Sequence, residues 1–288
     1  MWTLREASAV KKQRWFPLLA SLVCGVAIAL HPVAVQAQNL WQRLLLQGLQ
    51  VIQLSNISPR QEVALGQQIH EQMLRQGMRL VRNPAAQNYV NSIGARLVSV
   101  GERRGLPYQF HIIQDRDINA YATMGGFVYV TTGLMLRAEN EAELASVIAH
   151  EIGHIDQRHV IRQLQQMAIA QGLMTAAGLE RDRGVQLAME LAFRRPRSRE
   201  QELEADRYGL RLLARSHYDP RAMVTFLQKL QREGGAPPTI LSTHPAPRDR
   251  QFIAENLIRS GLSNECVVSP QPLCGTDTLA YQQQLRSF

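Results

Sequence analysis

Residues 139–159 read ENEAELASVIAHEIGHIDQRH, and this stretch predicts an amphipathic helix over about residues 141–165. Asn140 and Glu143 have the spacing of an N-cap and its reciprocal partner at the third helical position. The apolar residues of the stretch recur on one helical face and are expected to be buried: Leu144, Val147, Ile148, Ile152 and Ile155.

Two histidines on this helix have the spacing of metal ligands. His150 and His154 are four residues apart, so they lie about 40° apart in projection and one turn apart in height. Two imidazoles so placed can bind one ion, and Glu151 can reach a water bound to that ion; this is the His-Glu-x-x-His arrangement of zinc hydrolases. The alternative is a pair of exposed or hydrogen-bonded histidines. His159 lies about 180° around the helix from His150 and is expected to be a buried, hydrogen-bonded residue.

A second stretch, SREQELEADRYG at residues 198–209, supplies carboxylates at helical spacing. Glu202 and Asp206 share one face, so Glu202 could complete the metal site and Asp206 could accept the outer N–H of a ligating histidine. Glu200 and Glu204 are rivals on composition alone. The alternative is a solvated acidic stretch that is matched to nearby arginines.

The composition describes a folded chain without a nucleic-acid signature. Of its 288 residues, 45% are hydrophobic and 19% are charged, which excludes a disordered chain, a collagen and a coiled coil. The formal net charge is +8. The arginines of the chain are scattered along the sequence and form no stripe with aromatic residues, so no nucleic-acid partner is expected.

The N-terminus has the pattern of an export signal. A basic segment at 1–14 precedes the apolar run Phe16–Leu30 and a small-residue ending at Ala37, which predicts a signal peptide over 1–37. The alternative is an uncleaved anchor, although the run is shorter than the about 20 residues of a membrane span. Residues 38–59 are predicted to form an amphipathic lead-in.

Two cysteines fit an exported protein. Cys266 and Cys274 close a short loop and are expected to form a disulfide in an oxidising compartment; the alternative is two unpaired thiols.

Few strands and many helices predict an α+β fold rather than an alternating parallel-sheet fold. The predicted strands are Tyr108–Ile113 and Phe127–Thr131. Besides the helix over 141–165, helices are expected at 59–80, after Asn83-Pro84, and at 184–194, 198–215, 219–232 and 248–260. The Met- and Ala-rich stretch 167–179 is assigned to core packing, with contact to a membrane surface as the alternative.

Four motifs together resemble one zinc endopeptidase family, which contains the CAAX prenyl protease and the HtpX heat-shock protease. They are AHEIGH at 149–154, SREQELEAD at 198–206, NAYATMGG at 119–126, and STHP at 242–245 with Arg250. The resemblance covers about residues 61–250, in the order of the family. One departure is Thr123-Met124, where relatives usually have Leu-Pro. In type the chain is similar to the exported bacterial members of the LoiP and BepA kind, without a tetratricopeptide tail.

The resemblance implies a mostly helical, zincin-like metalloprotease domain with a small sheet, spanning residues 60–288. It implies one Zn²⁺ per chain, bound by His150, His154 and Glu202, with Asp206 behind the ligands as a partner. Glu151 is then the base that activates water and returns the proton to the departing amine.

A Pro-rich loop contains Pro237, Pro238, Pro245 and Pro247. The same resemblance points to this loop and the residues just after it for the donors that a tetrahedral intermediate needs. His244 and Arg250 are the candidates. His244 has a second interpretation, in which it occupies the fourth zinc position when substrate is absent and makes the loop a gate.

The expected substrate-binding residues are Gly125, Gly126, Phe127, Val128 and Tyr129. Gly126 to Val130 are interpreted as an edge strand along the cleft, to which an extended polypeptide adds through main-chain hydrogen bonds. The alternative is an interior strand with no free edge.

The expected function is a zinc-dependent endopeptidase of the bacterial cell envelope that hydrolyses unfolded or misassembled proteins. Its expected partners are unfolded or damaged envelope polypeptides, with peripheral membrane contact, and its expected location is the periplasm or the membrane periphery. The rival interpretations are a chaperone-like assembly factor that keeps the zinc fold, and an amidase that acts on cell-wall peptides.

Overall fold

A three-stranded sheet packed on both faces organises the part of the chain that the structure, a computed structural model, describes. The described residues are 51–52, 56–170, 179–232, 238–262, 264–268 and 274–286. The predicted signal peptide at 1–37 and most of the lead-in at 38–59 lie outside these residues.

The described elements alternate little between strand and helix, which agrees with the predicted α+β class. In chain order they are β1 Val51–Ile52, α1 Pro59–Arg75, α2 Pro84–Val98, β2 Gln109–Ile113, β3 Ala120–Ala122, β4 Phe127–Thr131, α3 Thr132–Arg137, α4 Glu141–Asp156, α5 His159–Ala170, β5 Leu179–Glu180, α6 Arg181–Phe193, α7 Arg199–Arg215, α8 Arg221–Arg232, α9 Ile240–Thr243, α10 Pro247–Arg259, α11 Glu265–Val268 and α12 Thr278–Arg286.

Strand β4 lies in the middle of the sheet, which has the order β2-β4-β3. It pairs in parallel with β2, with Phe110 opposite Val128, and antiparallel with β3, with Tyr121 opposite Tyr129. The prediction that residues 126–130 form an edge strand is therefore wrong, and the alternative, an interior strand, is what the sheet shows. The free edge on this side belongs to β3, which precedes β4 in the chain.

Strand β4 is also covered on both faces of the sheet. Val128 and Val130 pack into the cluster that includes α4, whereas Phe127 and Tyr129 pack into the cluster that includes α1, α5 and α6. Successive side chains of a strand point to opposite faces, so a continuous apolar run is what a strand covered on both faces requires. The other predicted substrate-binding residues, Gly125 and Gly126, form the turn before β4 with φ of +73° and +99°.

The helix that was expected over 141–165 is two helices. α4 ends at Asp156, and α5 begins at His159 after Arg158 turns into the left-handed region with φ of +56°. The guanidinium of Arg158 donates to the carbonyl of Ile57 at 2.6 Å, which holds the turn against a residue that precedes α1. The apolar periodicity continues through this turn, so the break has no signal in the pattern.

Helix starts follow the predicted caps closely. Asn83 accepts from two N–H groups at the start of α2, and Asn140 accepts from the N–H of Glu143 at the start of α4. The reciprocal bond differs from the expectation, since the Glu143 carboxylate accepts from the N–H of Glu139 at 2.9 Å instead of that of Asn140.

The C-terminal part contains the expected disulfide between Cys266 and Cys274. Within the described residues, none of the helices combines the length and apolar character that a membrane crossing needs. The Met- and Ala-rich stretch 167–179 is described only in part: Ala168 is buried, and residues 171–178 lie outside the described set.

Candidate active site

The site lies where α4 crosses α7, and two glycines permit the crossing. A Cβ at Gly153 would stand 2.9 Å from the carbonyl oxygen of Ala205, and a Cβ at Gly209 would stand 3.1 Å from the backbone nitrogen of His150. The absence of side chains at these two points lets the helices approach closely. Glu202 on α7 consequently reaches the histidines of α4.

Four buried side chains bring their ligand atoms within 4.8 Å of one another: His150, His154, Glu202 and His244. The Nε2 atoms of the two α4 histidines are 3.0 Å apart. Nε2 of His154 lies 3.3 Å from Oε1 of Glu202, and Nε2 of His150 lies 3.5 Å from Oε2. Ligands that are each about 2.0 Å from one tetrahedral ion are separated by about 3.3 Å. This donor set and its spacing fit one zinc ion.

His244 enters this group from the loop that follows α9. Its Nδ1 lies 3.1 Å from Oε1 of Glu202 and 3.2 Å from Nε2 of His150, and its Nε2 lies 3.3 Å from Oε1 of Glu151. The imidazole therefore stands in the position of a fourth ligand. This placement agrees with the second of the two interpretations of His244.

Asp206 lies directly behind the ligands, as expected. Its Oδ1 is 2.8 Å from Nδ1 of His150, a contact that fixes the ring and leaves Nε2 for the metal. Arg250 donates from Nε and Nη2 to Asp206 at 2.7 Å each, and from Nη1 to Glu202 at 2.9 Å. All its donor nitrogens thus face carboxylates, so the geometry favours a positioning role for Arg250 over donation to an intermediate.

The charges keep the carboxylates ionised although they are buried. Burial raises the pKa of Glu202, but His244 and Arg250 outweigh burial and hold it well below its usual range. Burial also raises the pKa of Asp206, and Arg250 again lowers it. Burial and Arg250 lower the pKa of His150, yet Glu202 and Asp206 bring it up to about 9. The site thus holds negative charge where a cation binds.

Glu151 lies next to this group, and its Oε1 is 3.3 Å from Nε2 of His244 without a hydrogen bond between them. It is fully buried, and neither of its oxygens has a hydrogen-bond partner among the described residues. A buried carboxylate without a partner is costly unless a ligand or water completes it. This is the position that a general base toward a metal-activated water requires.

Behind His154, the side chains of His159 and Glu204 form a hydrogen-bonded chain. Nδ1 of His154 lies 2.6 Å from Nδ1 of His159, and Nε2 of His159 lies 3.1 Å from Oε2 of Glu204. The prediction that His159 is buried and hydrogen bonded is confirmed. Glu204, a rival for the third ligand, supports this chain instead and is also paired with Arg162 at 2.6 Å.

Sequence reasoning missed Arg197, which is buried beside the site. It stands in the run RRPR at 194–197, and no feature of the sequence distinguishes it from Arg194 and Arg195, which are exposed. Only the fold shows that this one arginine turns inward.

Two histidines and a glutamate on crossing helices, with a free glutamate beside them, define a zinc metallopeptidase of the gluzincin class. The model of peptidase family M48 matches residues 84–255, which is more than half of the chain. The chain belongs to peptidase family M48.

Relatives from bacteria and plants match over long stretches. The β-barrel assembly-enhancing protease of Escherichia coli K12 is 37% identical over 221 residues, which are 70% of this chain and 45% of that protein. The metalloprotease LoiP of Escherichia coli K12 is 27% identical over 250 residues, 82% of this chain and 97% of LoiP. The mitochondrial metalloendopeptidase OMA1 of Arabidopsis thaliana is 37% identical over 155 residues, 51% of this chain and 30% of that protein. The chain spans about half the length of the assembly-enhancing proteases that it matches.

Proposed function

We propose that this chain is a zinc-dependent endopeptidase of the bacterial cell envelope that hydrolyses unfolded or misassembled proteins. The observation that carries the proposal is the buried carboxylate of Glu151, which has no hydrogen-bond partner among the described residues and lies beside the His150, His154 and Glu202 group. The envelope assignment is supported by the similarity to a β-barrel assembly-enhancing protease and by the disulfide between Cys266 and Cys274, which suits an oxidising compartment.

Each residue of the site has a separate role in the proposed reaction. Zn²⁺ held by His150, His154 and Glu202 would supply a Lewis acid that lowers the pKa of water and polarises a carbonyl. Glu151 accepts the proton of the attacking water and delivers it to the departing amine nitrogen. Asp206 keeps His150 in one tautomer and orientation during both steps.

The substrate lies along β3 in this proposal. The N–H of Thr123 donates to the carbonyl of Phe127, and the N–H of Thr131 donates to the carbonyl of Asn119. The main-chain groups of Asn119 and Thr123, which flank β3, therefore face β4. Main-chain groups alternate along a strand, so those of Ala120 and Ala122 face away from β4. An extended polypeptide that adds to this edge is recognised through its main chain, which suits unfolded proteins of varied sequence.

The loop that carries His244 acts as a gate. The imidazole stands between the carboxylates of Glu151 and Glu202, where a substrate carbonyl and a water would have to enter. Proteolysis therefore requires His244 to move, and resting activity is low. This placement also favours the second candidate, an assembly factor that keeps the zinc fold and cleaves little.

The test is the pair Glu151→Gln and wild type on denatured casein. We expect Glu151→Gln to retain one zinc per chain and to lose cleavage, because only the proton acceptor is removed. Cleavage at the wild-type rate by the zinc-loaded variant would refute the proteolytic mechanism. Rescue of a deletion strain by Glu151→Gln would favour the assembly factor, and digestion of peptidoglycan fragments instead of casein would favour the amidase.

The location is tested separately, by fractionation of cells that express the tagged chain. We expect the protein in the periplasmic or membrane-peripheral fraction. Its recovery with the cytoplasm would contradict the envelope part of the proposal and leave the peptidase part standing.

A further inference from the structure

Arg197 is a buried arginine whose hydrogen-bonding capacity is largely unused. It lies between α6 and α7 and is only 3% exposed, yet Nε and Nη1 have no hydrogen-bond partner among the described residues. Its backbone N–H donates to the carbonyl of Thr243 at 3.0 Å, and its Nη2 donates to the carbonyl of Ala122 at 3.4 Å. It therefore touches both the loop of His244 and the free edge of β3.

The charge of this guanidinium acts on the catalytic groups. Burial lowers the pKa of Arg197, and the carboxylates of Glu151 and Glu202 partly offset that effect. Burial and the charge of Arg197 together lower the pKa of His154. No carboxylate among the described residues forms an ion pair with Arg197 within 4.0 Å. The cation is thus near the reacting centre and is not neutralised by a direct partner.

Arg250, the other buried arginine of this site, differs from Arg197 because all its donor nitrogens are paired with carboxylates. Its Nε and Nη2 bind Asp206, and its Nη1 binds Glu202. His244 is also occupied, since its two ring nitrogens face Glu202 and Glu151. Both donors that the sequence suggested for the intermediate are therefore engaged with carboxylates, whereas two donors of Arg197 are free.

The reaction moves a negative charge within the site. The buried carboxylates are Glu151, Glu202 and Asp206, and the buried guanidiniums are Arg197 and Arg250. These charges leave one negative charge, so a divalent cation leaves one positive charge. In the tetrahedral intermediate Glu151 is neutral, because it has taken the proton of water, and the negative charge lies on the former carbonyl oxygen, where a guanidinium without a carboxylate partner stabilises it.

We propose that Arg197 is a catalytic residue whose Nε and Nη1 groups bind the carbonyl oxygen of the scissile peptide as that oxygen becomes negative. The inference rests on the proposed endopeptidase function. The oxygen of water forms a bond to the carbonyl carbon, the π electron pair moves to the carbonyl oxygen, and Glu151 takes the proton. The C–N bond then breaks, the pair returns to form C=O, and Glu151 gives the proton to nitrogen. Arg197 keeps its protons throughout.

The first experiment compares Arg197→Met with Arg195→Met, an arginine of the same segment whose side chain is about half exposed. The substrate is a fluorogenic peptide taken from a cleavage site in casein. For Arg197→Met we expect kcat to fall about 100-fold or more, with KM within about threefold of wild type, because the contact strengthens only in the transition state. We expect Arg195→Met to match wild type and Arg197→Lys to regain part of kcat. An unchanged kcat, or a loss that falls on KM alone, would overturn the proposal.

The second experiment measures binding instead of turnover. The probe is a peptide phosphonate with a tetrahedral anion in place of the scissile amide, bound to zinc-loaded Glu151→Gln. Adding Arg197→Met should weaken binding of the phosphonate by the factor lost in kcat and leave binding of denatured casein unchanged. Equal weakening of both, or of neither, contradicts the proposal.

Zinc content and Tm distinguish catalysis from support of the fold. We expect one zinc per chain in Arg197→Met and Arg197→Lys. Zinc loss in the lysine variant would assign Arg197 to the fold and overturn the proposal. A wild type that cleaves no unfolded protein would instead reject the endopeptidase function, so the two failures are separable.

Discussion

Two groups of histidines among the described residues have opposite surroundings. His150, His154 and His244 converge on the carboxylate of Glu202. The second group is the pair His70 on α1 and His111 on β2. Their rings stack with 4.5 Å between centroids and lie against the rings of Phe127 and Tyr129.

The proton affinities of the two groups diverge accordingly. Burial lowers the pKa of both His150 and His111. At His150 the carboxylates of Glu202 and Asp206 reverse the effect and bring the pKa to about 9. At His111 burial and the neighbouring His70 leave the pKa at about 4. Carboxylates from a crossing helix, and not the number of histidines, make the cation site.

Glu202→Ala should produce the largest effect, because it removes a ligand and the negative charge that attracts the ion. We expect bound zinc to fall toward zero, a loss of affinity beyond the about 100-fold that follows removal of an outer partner. The measurement is zinc stoichiometry by mass spectrometry. The matched control is Glu200→Ala, an exposed residue two positions away on the same helix, which should keep one zinc per chain. A full complement of zinc in Glu202→Ala would refute the ligand assignment.

Asp206→Asn tests the contribution of the carboxylate that orients the ligand His150. The change keeps the shape but removes the charge that orients His150 and pairs with Arg250. We expect zinc affinity to fall about 10- to 100-fold, as measured by competition with a chelator. The control is Asp249→Asn, whose carboxylate is half exposed and pairs with Arg199 on the surface. Equal affinities in the two variants would remove Asp206 from the support of the site.

The sequence predicts the metal group because its signals are local. Spacing of four residues on one helix places His150 beside His154, and the same spacing on another helix places Glu202 beside Asp206. Gly153 and Gly209, which let those helices meet, lie inside the same motifs. Helix starts are equally local, as the cap at Asn83 shows.

What the sequence leaves open depends on pairing between distant segments. The central place of β4 follows from its parallel register with β2, eighteen residues earlier, and a run such as Phe127–Thr131 suits an edge or a centre until that partner is known. The inward turn of Arg197 is set by contacts with Ala122 and Thr243, which no helical or strand period predicts.

His111→Phe tests the apolar group through the pH dependence of stability. Unfolded His111 takes up a proton near pH 6.5, whereas in the folded chain its pKa is about 4, so the unfolded state binds more protons as the pH falls through this window. Wild type should therefore lose about 1 to 2 kcal/mol more than His111→Phe between pH 7 and pH 5, after allowance for partial exposure of the ring. The measurement is the free energy of unfolding in urea at the two pH values.

The variant also removes a buried Nε2 that has no hydrogen-bond partner among the described residues. At pH 7 we therefore expect His111→Phe to be at least as stable as wild type. Parallel losses of stability in the two proteins between pH 7 and pH 5 would show that His111 titrates normally in the fold.

The smallest expected effect is that of His70→Gln on zinc. The rings of His70 and His111 are nearly parallel, with 20° between their planes, so they are stacked face to face and do not converge on one point as the ligand nitrogens of α4 do. Nδ1 of His70 is already 3.1 Å from the hydroxyl of Tyr129, and a glutamine amide can keep that bond. We expect one zinc per chain and cleavage within about twofold of wild type, since uncoupled sites change independently. A second zinc in wild type that disappears in His70→Gln would show that stacked histidines without carboxylates also hold a cation, and the distinction between the two groups would fail.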